Sequence, residues 1–540
     1  MTDIEIPLGK RTKSYRFFEM LPAIISYGSI ILLIVLSILS PLVAAVYLLA
    51  IIITTLVKAV GIAYHTTTGR NNLDKAQRTD WHQRLIELGD PAKYLEKAEK
   101  GRHSFASETH VMNLRDIASQ RELYPLSSQI FNAVIIATYN ESYDILQPTV
   151  QSLLDSTYDM DHLIVVIAYE ERGGAATEET VRRLQKEYSS QFKDFLLVKH
   201  PPDIPNEVIG KGGNITHAGR YLKGWLLDND IKYNDVIVTT LDADNRVHKT
   251  YFDYLTYEYI VHPDRKHLSY QPICLFINNI WDVPAPMRVV ATGNSFWNII
   301  SSMRPHTLRN FASHSQPMDA LVEMDFWSTR TIVEDGHQYW RSYFHFKGQY
   351  GIVPIYVPIY QDAVLSSTYI RTLKAQFIQL RRWAYGASDV PYVASHIFTK
   401  RREAPLGPSL ARLVRLIDSH VTLASMAILI AIGGWVPLFV NTEAAHSIAA
   451  HQLPEVISRV QQVALIGLLI TIFFAFKLLP PRPARYKRHR NIGMILQWVL
   501  MPVTAIVYSS ASAFTSQTAL LLGRYFDKFD VTEKATAKKK

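Results

Sequence analysis

Long stretches without any charged residue lie near both ends of this chain, and a segment of mixed polarity lies between them. The uncharged stretches cover residues 24–39, 42–57, 421–440, 463–476 and 492–522. Roughly 20 apolar residues in a helix cross the hydrocarbon core of a bilayer. The pattern therefore predicts a multi-pass integral membrane protein, and it excludes a purely soluble or a disordered chain.

The middle segment alternates short apolar runs with amphipathic stretches. The runs that predict buried parallel strands cover residues 131–138, 163–168, 195–198 and 236–241. Residues 143–154 and 177–188 between them have patterns compatible with helices. Strands that alternate with helices favour an α/β domain with a doubly wound parallel sheet, which binds ligands at the carboxyl ends of its strands.

The basic residues predict how the chain is oriented. The net charge is +9, from 57 basic and 48 acidic residues, but basic clusters flank the apolar stretches at 10–16 and 482–490. The positive-inside rule places both clusters and residues 58–415 in the cytoplasm, with a short link at 446–455 outside. We therefore predict a plasma-membrane protein and no nucleic-acid partner, since no basic stripe with interleaved aromatic residues is present.

The last apolar stretch, 492–522, is longer than one crossing needs and short for two. A single crossing would leave the basic tail 538–540 outside. A re-entrant hairpin, or a span followed by an interfacial helix, would return the tail to the cytoplasm, and we favour this second arrangement. The expected organisation is a basic segment with two membrane helices (1–64), a polar helical segment (65–130), the α/β domain (131–395), an interfacial segment (396–420), C-terminal membrane helices (421–525) and a basic tail (526–540).

Two acidic motifs could carry chemistry. Asp242 and Asp244 follow a predicted strand, where two carboxylates can hold a hard divalent cation together with a diphosphate. Glu334 and Asp335 are adjacent, and a carboxylate near such a diphosphate could act as a general base. Each motif alone also suits an ordinary structure, namely a strand-end turn for the first and a solvated loop or helix N-terminus for the second.

Two basic motifs add to them. Lys211 begins a Lys-Gly-Gly-Asn run that opens a predicted helix, where glycines let the backbone approach a phosphate. Gln379, Arg382 and Trp383 lie on an amphipathic stretch before an apolar one. Arginine can grip phosphate oxygens and tryptophan can stack on a sugar ring, although the same cluster would also suit an interfacial anchor. The single cysteine, Cys274, excludes an intramolecular disulfide.

The order of these motifs resembles that of the membrane-bound family 2 glycosyltransferases, which include cellulose, hyaluronan and chitin synthases. The resemblance extends over residues 134–385. The residues that carry it are Ala137-Thr138-Tyr139-Asn140-Glu141, Lys211-Gly212-Gly213-Asn214, Asp242-Ala243-Asp244, Glu334-Asp335 and the QxxRW pattern from Gln379 to Trp383. It implies a GT-A fold for residues 131–395 and inverting sugar transfer from a nucleotide-sugar donor.

The resemblance also implies roles for individual residues. Donor binding falls to Thr138, Tyr139, Glu141, Lys211 and Asp242. Asp244 would ligate Mg²⁺ or Mn²⁺, and Asp335 would be the catalytic base with Glu334 in support. Gln379, Arg382 and Trp383 would bind the diphosphate and the acceptor.

The chain departs from the family pattern at two positions. Where the family commonly has Asp-Asp or Asp-Gly after the second strand, this chain has Tyr169-Glu170-Glu171, so Glu170 is the expected equivalent of the base-reading aspartate. The threonine usual before Glu-Asp is Val333 here. The nearby histidines, His217, His248, His314 and His337, show no zinc-site spacing and are expected to be ordinary residues. Asn294, Phe296 and Trp297 either line an acceptor groove or belong to a packed loop.

The sequence thus predicts a transferase that moves a sugar, preferably from a UDP-sugar, to a growing polysaccharide, with export through the membrane segments. The expected partners are the donor, a glycan or glycolipid acceptor, the lipid bilayer and export or accessory subunits. One alternative is transfer of a single sugar to a lipid carrier. Another is a nucleotide-sugar-binding transporter or accessory protein, which is disfavoured because the apolar stretches lack charged pathway residues and every acidic motif residue is present.

Overall fold

The computed structural model describes residues 4–101, 105–441 and 472–526, together with positions 452, 455–456, 458–459 and 462. An α/β domain lies between apolar helices, as predicted. Most of the predicted fourth apolar segment, the link at 446–455 and the basic tail fall outside the described residues.

Two long helices open the chain. α1 runs from Lys13–Leu39 and α2 from Pro41–Arg78, and Pro41 occupies the first turn of α2, where its missing N–H is harmless. Both are long and apolar enough to span a bilayer. α2 continues well past residue 57 because its C-terminal half, polar in sequence, packs on the α/β domain through Leu73 and Ala76. Three short helices follow: α3 (Trp81–Gly89), α4 (Pro91–Lys100) and α5 (Ser107–Ser119).

The α/β domain is built on one eight-stranded sheet in the order β3-β2-β1-β4-β7-β6-β8-β5. Its strands are β1 (Phe131–Thr138), β2 (Leu163–Glu170), β3 (Asp194–His200), β4 (Val236–Asp242), β5 (Arg246–Val247), β6 (Leu268–Phe276), β7 (Ser315–Pro317) and β8 (Gly351–Gln361). The four predicted strands are confirmed and are mutually parallel. The other strands make the sheet mixed, since β7 pairs antiparallel with β4 and β6, and β5 pairs antiparallel with β8.

The parallel strands are buried on both faces, which explains their continuous apolar runs. On β1, Val134 and Ile136 face one core, whereas Ala133 and Ile135 face the other. The helices of the domain are α6 (Tyr143–Leu154), α7 (Gly174–Tyr188), α8 (Lys211–Asp228), α9 (Tyr251–Val261), α10 (Ala285–Ser302), α11 (Met318–Glu323) and α12 (Glu334–His345).

The C-terminal part is helical. It comprises α13 (Tyr369–Ala384), α14 (Asp389–Ile397), α15 (Leu406–Ile432), α16 (Val436–Val440), α17 (Arg490–Leu496), α18 (Met501–Thr504) and α19 (Ala511–Leu521). Two runs here, Leu406–Val440 and Arg490–Leu521, complete four candidate membrane spans among the described residues.

The re-entrant hairpin proposed for residues 492–522 is wrong, because Arg490–Leu521 is one continuous helical run. Its serine-rich middle forms a π-helical turn, Ala505–Ser510, that does not reverse the chain. Ser516 donates a hydrogen bond to the carbonyl of Arg381, and Gln517 donates one to the carbonyl of His420. These polar side chains therefore join the helix to α13 and α15.

Candidate active site

A cavity of about 520 Å³ opens at the carboxyl ends of β1, β2 and β4 and extends toward the membrane helices. Every residue predicted for the site lines it: Thr138, Tyr139, Glu141, Glu170, Lys211, Asp242, Asp244, Glu334, Asp335, Gln379, Arg382 and Trp383. Residues more than 200 positions apart in the chain therefore share one space, which is the position expected for a ligand in an open α/β sheet.

The loop after β1 is stabilised by Glu141. One oxygen of its carboxylate, Oε2, accepts hydrogen bonds from the Thr138 hydroxyl (2.7 Å) and from the backbone N–H of Tyr139 (2.8 Å). Glu141 thus shapes the loop, and the Tyr139 ring is held beside Arg172, whose guanidinium lies 5.4 Å from the ring centroid. The aromatic ring and the guanidinium form the wall of the cavity at this point.

Each residue of the Lys-Gly-Gly-Asn run has a structural reason at the start of α8, and the contacts of Lys211, Gly212 and Asn214 show it. Lys211 Nζ donates to Asp242 Oδ1 (2.6 Å) and to the carbonyl of Ala312 (3.0 Å). Burial lowers the pKa of Lys211, but Asp242 and Glu334 together raise it above its ordinary value. A Cβ on Gly212 would lie 2.4 Å from the Ser328 carbonyl oxygen, so no larger residue fits there. Asn214 Nδ2 donates to the Ala168 carbonyl (2.9 Å), which joins the start of α8 to the end of β2.

Asp244 lies just beyond β4 and is 7% exposed. Its Oδ2 accepts from the backbone N–H of Asp362 (3.3 Å), and its carbonyl accepts from Asn278 Nδ2 (3.1 Å). Within the described residues, no three histidine, cysteine or acidic side chains converge as a complete metal site. One carboxylate at a polar cavity wall nevertheless fits Mg²⁺ or Mn²⁺, because such ions are usually held by one or two carboxylates, substrate phosphates and water.

Glu334 and Asp335 form the first turn of α12, as the helix-N-terminus interpretation predicted. Asp335 Oδ1 accepts from the backbone N–H of Gly336 at 2.7 Å. Burial, and next the adjacent Asp335, raise the pKa of Glu334 to about 8. Burial also raises the pKa of Asp335, while Lys211 opposes that rise. Two carboxyl groups this close favour a state in which one is protonated and the other is charged.

The QxxRW residues lie on α13. Gln379 accepts from Gln376 Nε2 (3.0 Å), and the Trp383 ring, 38% exposed, lies 5.9 Å from the ring of Phe276. Gln379, Arg382 and Trp383 line the cavity that the acidic residues share.

The sequence revealed only part of the membrane end of the cavity. α10 contributes Asn294, Trp297 and Asn298, whereas Phe296 is buried in a separate core. Asn294, Phe296 and Trp297 thus belong to a helix, and the packed-loop alternative is wrong. Ser419 and His420 on α15, with Ser509 and Ser512 from the last helical run, complete this end. Polar residues spaced along one face of an apolar helix were the signal that would have found them.

The histidines near the motifs have structural positions. His337 Nδ1 contacts Asp389 at 2.7 Å and His314 accepts from the Trp327 indole at 3.1 Å, both in buried surroundings. His248 contacts the Thr250 hydroxyl at 3.0 Å. His217 and His248 are not among the described residues that line the cavity.

No family model and no curated protein matches this chain. Among solved structures, mannosyltransferase PcManGT from Pyrobaculum calidifontis, in complex with GDP-Man and Mn²⁺, is similar at a TM-score of 0.41 and 15% identity, over 81% of this chain and 100% of that one. S. aureus TarS is similar at a TM-score of 0.35 and 11% identity, over 72% of this chain and 55% of that one. S. aureus TarS 1–349 in complex with UDP-GlcNAc is similar at a TM-score of 0.36 and 11% identity, over 74% of this chain and 93% of that one. At these values the likeness says nothing about what this chain binds.

Proposed function

We propose that this protein is a membrane glycosyltransferase that transfers a sugar, with inversion, from a UDP-sugar to a growing polysaccharide and exports the product. The observation that carries the proposal is a single cavity containing two acidic pairs, Asp242 with Asp244 and Glu334 with Asp335, and the QxxRW side chains. This one cavity contains basic groups that suit a diphosphate, carboxylates that suit a cation, and a carboxylate that suits an acceptor hydroxyl.

The donor occupies the sheet end of the cavity. Tyr139 and Arg172 flank the base and Asp242 lies along the nucleotide, while Asp244 holds the cation. When bound, Mg²⁺ or Mn²⁺ supplies Lewis-acid neutralisation of the diphosphate. Lys211, already paired with Asp242 at 2.6 Å, adds positive charge at the same place.

Asp335 takes the proton from the acceptor hydroxyl. The acceptor oxygen then forms a bond to the anomeric carbon as the bond from that carbon to the diphosphate oxygen breaks, and the nucleoside diphosphate leaves with both electrons. Glu334, with a pKa raised to about 8 by burial and by Asp335, stays protonated at neutral pH and leaves the negative charge on Asp335. Arg382 stabilises the charge that develops on the leaving diphosphate.

The membrane end supports the acceptor part of the proposal. Asn294 and Trp297 offer an amide and an aromatic face, a combination suited to a sugar ring. Beyond them, the hydroxyls of Ser419, Ser509 and Ser512 continue the lining between membrane helices. A glycan that leaves the site along this path meets hydroxyl groups beside the apolar side chain of Leu423. The catalytic domain faces the cytoplasm of a plasma-membrane protein on this proposal, where nucleotide sugars are available.

A donor screen tests the function. The full chain, purified in lipid nanodiscs with Mn²⁺, is incubated with labelled UDP- and GDP-sugars, and nucleoside diphosphate release and product size are measured. A ladder or a large polymer supports polysaccharide synthesis. A single labelled lipid-linked sugar would instead support the alternative of transfer to a lipid carrier. Tight donor binding without any turnover would support the transporter or accessory alternative.

A further inference from the structure

A buried chain of hydrogen bonds lies behind the wall of the cavity at the ends of β2 and β3. His200 Nδ1 is 3.2 Å from Glu170 Oε2, and His200 Nε2 is 3.1 Å from Glu207 Oε2. Glu170 is 4% exposed and His200 is 7% exposed, so bulk water does not substitute for these contacts. The contacts therefore join Glu170, which lines the cavity, to Glu207 in the loop before α8.

Both ring nitrogens of His200 face carboxylate oxygens, so both must donate and the ring must be an imidazolium. Burial lowers the pKa of His200, but the hydrogen bonds that it donates to Glu170 and Glu207 raise it to about 9, in agreement with this geometry. Arg172 supplies a second cation, with NH2 at 2.9 Å from Glu170 Oε2. Two carboxylates and two cations thus compensate each other in one cluster.

The local backbone is shaped to allow the cluster. A Cβ on Gly213 would lie 2.6 Å from Glu207 Oε2 and 3.4 Å from His200 Nε2. The second glycine of the Lys-Gly-Gly-Asn run therefore makes room for Glu207 beside His200. His217 packs edge-on against His200 with ring centroids 5.5 Å apart, and burial, followed by the charge of His200, lowers its pKa. The nearby Arg220 is paired with Asp325 at 2.6 Å.

The orientation of Glu170 is thereby set. Among the described residues, the hydrogen bonds that Glu170 accepts all end on Oε2, from Arg172 Nε (3.3 Å), from Arg172 NH2 (2.9 Å) and from His200 (3.2 Å). The other oxygen, Oε1, is left as the acceptor for a ligand in the cavity. Glutamate has one more rotatable bond than aspartate, so the side chain of Glu170 needs these hydrogen bonds to keep one orientation.

We propose that His200 and Glu207 are positioning residues that hold Glu170 to accept an N–H from the pairing edge of the donor's base. The inference rests on the proposed function, and it names the donor class more narrowly. The ring nitrogen at that edge carries a hydrogen in uracil and guanine. In cytosine and adenine this ring nitrogen is bare and only the exocyclic amino group donates, so a carboxylate placed opposite the ring nitrogen is repelled by its lone pair. The site selects UDP- or GDP-sugars over CDP- and ADP-sugars for this reason.

Nucleotide affinity of the full chain in nanodiscs tests the proposal without any turnover. Calorimetric titration with UDP, GDP, CDP and ADP at pH 7.5 is expected to show at least about 100-fold tighter binding of UDP or GDP than of the other two. In His200→Gln, the amide turns its nitrogen toward one carboxylate and its oxygen toward the other. This ratio therefore falls about tenfold, while the affinity for CDP is unchanged. Whichever of UDP and GDP binds more tightly identifies the base.

A double-mutant cycle separates positioning from general damage. If His200 acts through Glu170, His200→Gln has no further effect on the ratio in a Glu170→Gln background. Glu207→Gln is expected to move the ratio in the same direction as His200→Gln. Glu178→Gln is the matched control, since Glu178 pairs with Lys199, the neighbour of His200, at 2.6 Å and lies outside the described cavity lining.

Two results overturn the proposal: an unchanged ratio in folded His200→Gln, or full additivity in the cycle. Failure of the wild type to bind any of the four nucleotides would instead remove the proposed function itself. Binding with the expected selectivity but without sugar transfer would retain the base-reading role of Glu170 and reject the transferase.

Discussion

The two ends of the cavity differ in chemical character. At the sheet end, the charged side chains are held in short pairs, such as Lys211 with Asp242 at 2.6 Å and Arg172 with Glu170 at 2.9 Å. At the membrane end, the lining is mostly amide, hydroxyl and aromatic, as in Asn294, Trp297 and Ser512. The first end suits a charged, rigidly oriented ligand, and the second suits a neutral polyhydroxyl chain that must move.

The two ends differ because charged groups and neutral polar groups have different free-energy costs when they are removed from water. Charges that lie at a buried rim cost free energy unless they are paired, so the sheet end is a network in which one substitution affects several neighbours. Neutral polar groups in a membrane-facing wall cost less, and each contributes separately. Substitutions should therefore have large and coupled effects at the first end and small, separable effects at the second.

The largest effect is expected for Asp335→Asn, which removes the general base. Transfer should fall at least about 1000-fold, as general-base catalysis contributes factors of this size, while UDP affinity remains close to the wild-type value. Labelled-sugar incorporation and calorimetry measure the two quantities. Asp325→Asn is the control, because Asp325 pairs with Arg220 at the surface. Turnover near the wild-type rate in Asp335→Asn would reject Asp335 as the base.

Asp244→Asn should reduce transfer about 100-fold, since a weakened cation site leaves the diphosphate charge uncompensated. Binding of UDP should also lose its dependence on Mn²⁺, which titration with and without EDTA measures. Asp282→Asn serves as the control, because Asp282 pairs with Arg485 at 2.5 Å away from the described cavity lining. Retained Mn²⁺ dependence would show that other groups hold the cation.

Trp297→Ala should raise the acceptor KM about tenfold, the loss expected for one aromatic stacking surface. The donor KM should stay unchanged, because Trp297 is neutral and offers a ring face and no charge to a diphosphate. Initial rates at varied acceptor and donor concentrations separate the two constants. Tyr221→Ala removes a similarly exposed ring, 50% against 49%, on α8 outside the described lining. Equal changes in both constants would contradict the division of the cavity.

Glu334→Gln should produce the smallest effect, a rise of a few degrees in Tm at pH 9 and little change at pH 5. Burial and Asp335 raise the pKa of Glu334 to about 8. The folded state therefore holds this proton more tightly than the unfolded chain, and the carboxyl costs stability that grows as pH rises from its ordinary pKa to about 8.

Thermal unfolding of the full chain in detergent measures this shift at both pH values. In Glu323→Gln, the opposite sign or no change is expected at pH 9, because the hydrogen bond from Lys266 lowers the pKa of Glu323. A fall in Tm at pH 9 in Glu334→Gln would show that Glu334 is charged and stabilising.

The parallel strands were predictable because burial on both faces requires continuous apolar runs. The predicted run 131–138 coincides with β1, and the predicted helix 143–154 coincides with α6. The other half of the sheet was not predictable. β7 is three residues long, and β8 contains Pro354 and Pro358, which argue against a strand when read locally. Pairing with β6 and β5 stabilises β8 in spite of them.

The sequence alone determined where the acidic motif that follows the fourth predicted strand would lie. Carboxylates after an apolar strand must lie at the sheet's carboxyl edge, as Asp242 and Asp244 do, because strand direction places them there. The uncharged stretches predicted helices that are long and apolar enough to span a bilayer, and four such helices are found among the described residues. Both features follow from local backbone periodicity and hydropathy, which can be read directly from the amino-acid sequence.

The tertiary structure alone decided how those side chains are used. It turned the Glu141 carboxylate back onto its own loop, paired Lys211 with Asp242, and set His200 between Glu170 and Glu207. It also brought the serines of two membrane helices to the same cavity as the carboxylates. Each of these contacts depends on how helices and strands pack in three dimensions. The distance along the chain does not determine which donor lies within hydrogen-bond reach of which oxygen.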